Sequence, residues 1–251
     1  GITVMEAATN VVATKQVDSA IPCVIGTAPV NMGSERDIGK PVIAYSFEEA
    51  AEKLGYSDNW TAYTLCEAMH VLFRVFGVSP VVFINVLDSN THTEEEAVLN
   101  LNVAEDGSSA TVEEEGVLLD SLKIDELKLG EEYSATFDKN GHIVVKPLKE
   151  GVDFLAASGK KLAPSKVSTT DVIGGYDIET GKSTGIELVD DVYHVCGVIP
   201  ATLIAPGYSD KDAVADALVA KAKSFDTVFS GIAACDIATN ERKYAVVAEA
   251  A

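Results

Sequence analysis

The stretch Pro80–Leu87 reads PVVFINVL, nearly all apolar, rich in β-branched residues and without polar alternation. Such a run suits a strand covered on both faces, as in a parallel sheet flanked by helices. Working outward, the segment before it predicts a helix over about 61–76. Ala62, Leu65, Met69, Leu72, Phe73 and Phe76 recur at spacings of three and four, and Gly77 stands at the stop position. Ser46 with Glu49 three residues later forms a capping box, and Gly55 closes the helix it opens. Val42–Tyr45 is a short extended run. Ile21–Ala28 (IPCVIGTA), followed by Pro29, reads as a further buried strand.

Downstream the pattern changes. From Thr93 to Glu150 there are 15 acidic and 5 basic residues, so half of the net charge of -20 falls there. The apolar period shortens to two. Leu99, Leu101 and Val103 alternate with polar or small neighbours; Tyr133, Ala135 and Phe137 do the same. Asp138-Lys139-Asn140-Gly141 then supplies a hairpin turn, and Ile143 and Val145 resume the alternation. This predicts an antiparallel β-sandwich with one solvated acidic face, with Ser158–Ser168 as a polar connector beyond it. After Gly174-Gly175 and Gly181 the α/β pattern returns. A helix is expected over Ile186–Cys196, a strand over Ala201–Ala205, and a helix capped by Ser209 and Asp212 that runs to about Phe225. A closing strand lies within Asp226–Cys235. The expected fold class is therefore mixed α/β: a discontinuous α/β domain carrying an inserted antiparallel β-sandwich. Its parts are an N-terminal arm (1–20), the two halves of the α/β domain (21–90 and 166–240), the insertion (91–165) and a tail (241–251).

Composition narrows the function. With 251 residues and 47% hydrophobic content the chain has ample material for a core. The 39 acidic against 19 basic residues argue against nucleic acid and anionic membranes as partners, because phosphate binding needs concentrated positive charge. No apolar run approaches the roughly 20 residues of a membrane helix. The opening GITVMEAATN has neither the basic region nor the apolar core of a signal peptide. Cys23, Cys66, Cys196 and Cys235 are far apart in largely apolar surroundings and read as buried thiols, in keeping with a reducing cytoplasm.

No motif commits the chain to catalysis. It has no G-x-S-x-G elbow, no H-E-x-x-H helix and no G-x-G-x-x-G after a strand. Gly181-Lys182-Ser183 comes nearest to a phosphate loop, but Tyr176 stands where the leading glycine belongs, and a flexible turn is the plainer reading. Glu187, Asp190, Asp191 and His194 share one helical face and could converge on a metal, although a solvated polar face explains them equally. Ser230 with His70 or His194 and Asp236 is a conceivable hydrolase set, with Ser209 as another nucleophile. The turn Pro206-Gly207-Tyr208 sits where α/β folds place ligands. Glu94-Glu95-Glu96 and Glu113-Glu114-Glu115 lack the alternating oxygen ligands of a calcium loop. Trp60 is either core or a contact anchor. No catalytic, cofactor-binding or metal residue is assigned, and no cofactor.

Three segments resemble the tail sheath proteins of contractile-tailed bacteriophages and of related prophage or bacteriocin particles. They are CVIGTAPV at Cys23–Val30, the run from Lys40 to Leu87, and the block from Ser168 to Asp236. The second contains KPVIAYSFEEAAEKLGYSDNW, YTLCEAMHVLF and GVSPVVFINVLD; the third contains DVIGGYDIETGKSTGIELVDDVY and GVIPATLIAPGYSD. The resemblance implies an α/β domain of subtilisin-like fold without a protease triad, and an outward-facing β-sandwich insertion. It implies a structural, non-enzymatic subunit that polymerises around a tail tube and contracts to drive it through a cell envelope. Implied partners are other sheath subunits, the tail tube protein, and baseplate and tail terminator proteins, with no nucleic acid and no membrane insertion. The implied location is a virion tail or phage-tail-like particle assembled in the host cytoplasm. Family members link neighbours by arms that add strands, and Ile2–Thr14 would supply one. They also continue into a C-terminal domain, so this chain is expected to be a fragment whose residues after Asn240 pack poorly. Two alternatives stay open: a hydrolase or ligand-binding protein with its site near Pro206–Ser209, and an adhesin whose β domain binds host surfaces or carbohydrate.

Overall fold

The computed structural model describes residues 21–138, 140–225 and 229–237. The expectations for the arm (1–20) and for the tail (241–251) lie outside the described residues, as do Lys139 of the hairpin turn and positions 226–228 of the closing segment.

The fold is mixed α/β. PVVFINVL supplies β3 (Val81–Asn85), every residue of which is buried, next to an equally buried β1 (Ile21–Gly26). These pair in parallel, β13 (Pro200–Ile204) joins β1 in parallel, and β14 (Ile232–Ala234) follows β13. On the other side β2 (Val42–Ala44) runs antiparallel to β3, giving the order β14-β13-β1-β3-β2. β1 and β3, the two strands with continuous apolar sequence, lie inside the sheet, as does β13, and are covered on both faces.

Helix α1 (Phe47–Leu54) starts at the Ser46 cap, whose Oγ accepts the Glu49 N–H at 3.1 Å, and ends at Gly55 with φ 79°. The Glu49 carboxylate reaches back one residue further than a standard capping box, to the Tyr45 N–H at 2.8 Å. The helix expected over 61–76 is shorter and changes pitch. Helix α2 covers Thr64–Met69, and His70–Val75 continues it as a π-helical turn, with the Phe76 N–H donating to Val71 C=O at 3.0 Å. Widening the turn rotates the residues beyond Met69 away from the core. Leu65 and Met69 are fully buried, Leu72 and Phe73 half-buried, and Phe76 is 71% exposed.

Between β3 and α3 (Thr169–Ile173) lie two antiparallel sheets. One has the order β4 (Thr93–Leu99), β10 (Ala157–Leu162), β7 (Lys123–Ile124). The other has the order β5 (Leu101–Val103), β6 (Ala110–Val112), β9 (Ile143–Pro147), β8 (Tyr133–Phe137). Both turn residues onto a shared apolar cluster that includes Leu99, Val112, Ile124, Tyr133, Ile143 and Val145, distinct from the cluster under the five-stranded sheet. The hairpin forms at the expected place, with Phe137 opposite Ile143. Two other readings need correction. The alternation through Leu99, Leu101 and Val103 is not one strand: the chain changes sheets at Asn100, whose backbone and side-chain N–H groups both donate to the Glu114 carboxylate. The stretch from Ser158 that reads as a polar connector contains most of β10, the central strand of its sheet. ASGKKL carries little apolar signal, and pairing on both edges holds it extended.

The last part of the chain brings a small hairpin, β11 (Gly175–Asp177) with β12 (Lys182–Thr184), then a 3-10 helix (Gly185–Asp191) running into α4 (Val192–Cys196). Helix α5 (Asp212–Lys223) packs on the sheet between β13 and β14. Its N-cap is Lys211 with no side-chain cap bond, so the expected box of Ser209 and Asp212 does not form; Ser209 is engaged elsewhere.

Candidate functional site

The strand-to-helix turn after β13 lies at the carboxyl end of the parallel strands, where open α/β sheets place ligands. Ala205 C=O accepts the N–H groups of Tyr208 (3.2 Å) and Ser209 (3.0 Å), and Gly207 takes φ 76°, a conformation suited to glycine. The turn is bound to the end of β14 through Asp236. Ser209 Oγ donates to Asp236 Oδ2 at 3.0 Å, Gly207 N–H donates to the same oxygen at 2.9 Å, and Asp236 N–H donates back to Ser209 Oγ at 2.9 Å. Ser209 is buried.

Two hollows flank this turn. A cleft of about 890 Å³ lies between the five-stranded body and the antiparallel sheets, lined among others by Trp60, Tyr63, Glu67, Glu115, Lys161 and Tyr208. A groove of about 670 Å³ on the other side is lined by Val24, Leu72, Ile204, Pro206, Asp210 and Asp236, among others. No histidine lines either hollow among the described residues. A serine nucleophile needs a base to take its proton, and Ser209 is hydrogen-bonded to a carboxylate instead. The other imagined set is not assembled on this aspartate. Ser230 is exposed before β14, His70 lies against the Trp60 ring at 5.1 Å, and Asp236 Oδ2 is held by Ser209 and Gly207.

The acidic face of Glu187, Asp190, Asp191 and His194 also has a different use. Its first part is a 3-10 helix, in which residues three apart eclipse. Glu187 and Asp190 therefore line up, and both accept from Lys221 Nζ of α5, at 2.6 and 3.0 Å. Burial alone would lower the Lys221 pKa, but the two carboxylates raise it overall, so the ammonium is the ion in this site. Among the described residues no cluster of three or more His, Cys, Asp or Glu side chains is arranged for a metal.

Several of the remaining candidates are likewise engaged. Glu94 pairs with Lys161 at 3.0 Å, Glu114 holds Asn100, and Glu115 accepts from Ser57 Oγ at 3.3 Å. Gly181-Lys182-Ser183 lies at the turn and second strand of the β11–β12 hairpin, with Gly181 at φ 68° and Asp177 Oδ2 accepting from Thr180 Oγ1 at 2.7 Å. Trp60 is half-buried and donates through Nε1 to Tyr56 OH at 3.2 Å. All four cysteines are free thiols. Cys23 and Cys66 are buried and Cys196 half-buried, but Cys235 is exposed, against expectation, because it follows β14 at the sheet margin. Burial pushes the Cys66 thiol up to about 12, which leaves it un-ionised and unreactive at neutral pH.

One group of polar contacts has no counterpart among the sequence-based expectations. His92, buried where the chain enters β4, accepts the Asp88 N–H on Nδ1 at 3.0 Å and presents Nε2 to Asp171 Oδ2 at 3.5 Å. Asp171 belongs to a capping box with Ser168 at the start of α3. The S-x-x-D spacing of Ser168 and Asp171 is a signal that could have located that half of the clasp.

The described residues thus define a mixed α/β protein in which chemistry-bearing side chains fasten one element to another. No family model matches the chain. It is similar to the tail sheath protein of Burkholderia phage BcepMu, 27% identical over 232 residues, which cover 88% of this chain and 46% of that protein. The chain therefore spans about half the length of the relative it matches.

Proposed function

We propose that this chain is a structural, non-enzymatic subunit of a phage-type contractile tail sheath. The observation that carries this reading is the similarity to a tail sheath protein along 88% of the chain, since likeness over that length involves both the five-stranded body and the sheets between β3 and α3. In this reading 21–90 and 166–240 form one discontinuous α/β domain, and 91–165 forms a β-sandwich domain inserted into it. The two separate apolar clusters support that division. The subunit packs against further copies and a tail tube, in the tail of a virion or a phage-tail-like particle, and contraction of the array drives the tube through an envelope. The hydrogen-bonding of Ser209 and the occupation of Glu187 and Asp190 by Lys221 favour an assembly role over hydrolysis or metal chemistry.

The test is immunogold labelling, with antibody raised against this chain, of particles released by cells that carry the gene. Label along the outer cylinder of tails, shortened and widened in contracted particles, is the expected result. Label confined to soluble protein, with bare tails, would overturn the proposal.

A further inference from the structure

The five-stranded sheet has two margins, and its β2 margin is closed in an unusual way. An edge strand ordinarily presents a row of unpaired N–H and C=O groups that another chain can pair with. In an antiparallel pair, alternate residues direct both backbone groups to the same side. Val42 and Ala44 lie opposite Phe83 and Val81 of β3, and most of the polar groups of the alternate positions, from Pro41 to Tyr45, meet side chains.

Four of those groups have a partner on a side chain. Pro41 has no N–H, and its C=O accepts from Cys196 Sγ at 3.8 Å. The Ile43 C=O accepts from Lys53 Nζ at 2.7 Å. The Tyr45 N–H goes to Glu49 Oε2 at 2.8 Å, and its C=O accepts from Ser79 Oγ at 2.8 Å. Glu49 also holds Lys53 in place, through Oε1 at 2.7 Å. Lys53 and Glu49 come from α1, and Cys196 from the end of α4, 155 positions from Pro41. Burial raises the Cys196 pKa, which keeps the sulfur protonated and able to donate to Pro41.

We propose that Lys53, Glu49 and Cys196 seal the β2 margin against a second copy of this chain, which would otherwise add to the sheet by pairing β2 with β2. The inference stands on the edge geometry alone and holds whether or not the chain belongs to a sheath. At the opposite margin β14 pairs with β13, and no described strand pairs with its outer side.

The test compares the full chain with a double variant, Lys53→Met with Cys196→Ala, by sedimentation velocity over a range of concentrations. The double variant should shift toward dimers and larger species at concentrations where the parent is unchanged. Adding Ile43→Pro, which removes the outward N–H, should reverse that shift. A double variant that sediments like the parent throughout would overturn the proposal, and so would association that survives Ile43→Pro. Amide exchange in the parent gives a reading independent of how the variants fold. The Tyr45 amide should be protected despite its place on an outer strand, and its exchange at the free-peptide rate would also overturn it.

Discussion

Ser209 shows how a residue can be noticed in a sequence for the wrong reason. Its position three residues before Asp212 suggests a helix cap, and its place after a strand suggests a nucleophile. The structure gives it a third role, as the tie between the β13 turn and Asp236. Nothing in the sequence between the pair, 27 positions apart, signals the contact, because it depends on β14 lying beside β13. The same holds for Lys221, whose partners Glu187 and Asp190 were legible as a face but not as the seat of a lysine from another helix. Ser209→Ala should cost roughly 0.5–1.5 kcal/mol in chemical denaturation, by leaving the Asp236 carboxylate short of a donor and the Asp236 N–H without its acceptor. It should leave activity toward ester or peptide substrates at the parent's level. An unchanged denaturation midpoint would mean that the tie carries no stability.

At the level of elements, strongly periodic or continuously apolar segments were legible and context-dependent ones were not. PVVFINVL, the Ser46 cap and the Tyr133–Val145 hairpin rest on local chemistry, and each forms where its residues indicate. β10 was missed because its sequence is polar and its conformation comes from β4 and β7 on either side. The helix over 61–76 was half legible. Its spacing is correct as far as Met69, after which the wider turn releases Phe76 to solvent. A simple helical reading makes Leu65 and Phe76 equivalent; the structure does not. Leu65→Ala should cost about 2–5 kcal/mol, as buried leucines do. Phe76→Ala should change stability by no more than about 0.5 kcal/mol, as exposed positions do. Equal losses, measured by urea titration, would restore the uniform helix.

On the scale of the molecule, two apolar clusters share one chain. They are not independent: Leu118 and Leu162, from the segment between β3 and α3, are buried in the cluster of the five-stranded sheet. Asn31 Nδ2 donates across the same boundary to Val117 C=O at 3.2 Å. Ile143→Ala should therefore loosen the second cluster first. Hydrogen exchange should rise across β6, β8 and β9, while β1 and β3 keep their protection. Exchange that rises equally in both would mean that the clusters unfold as one unit. The shift of charge and periodicity at Thr93 made this division legible from sequence. The boundary contacts were not, since they join positions tens of residues apart.

The chain enters the region between β3 and α3 and leaves it side by side. Thr93 lies opposite Leu162 in the β4–β10 pair, and Ala163 N–H donates to His92 C=O at 2.8 Å. Everything between those two positions leaves and rejoins the body through one doorway whose jambs are hydrogen-bonded to each other, and touches the body again at Leu118 and Val117. For the rest of the polypeptide, the whole excursion occupies the geometric place of a tight turn. Lengthening its outer turns would leave the thread of the five-stranded sheet unbroken, whereas cutting it back to a few residues would uncover the part of the core that Leu118 closes. The doorway sets where length can be added: at the outer turns of the region, far from the strands that hold its two ends together.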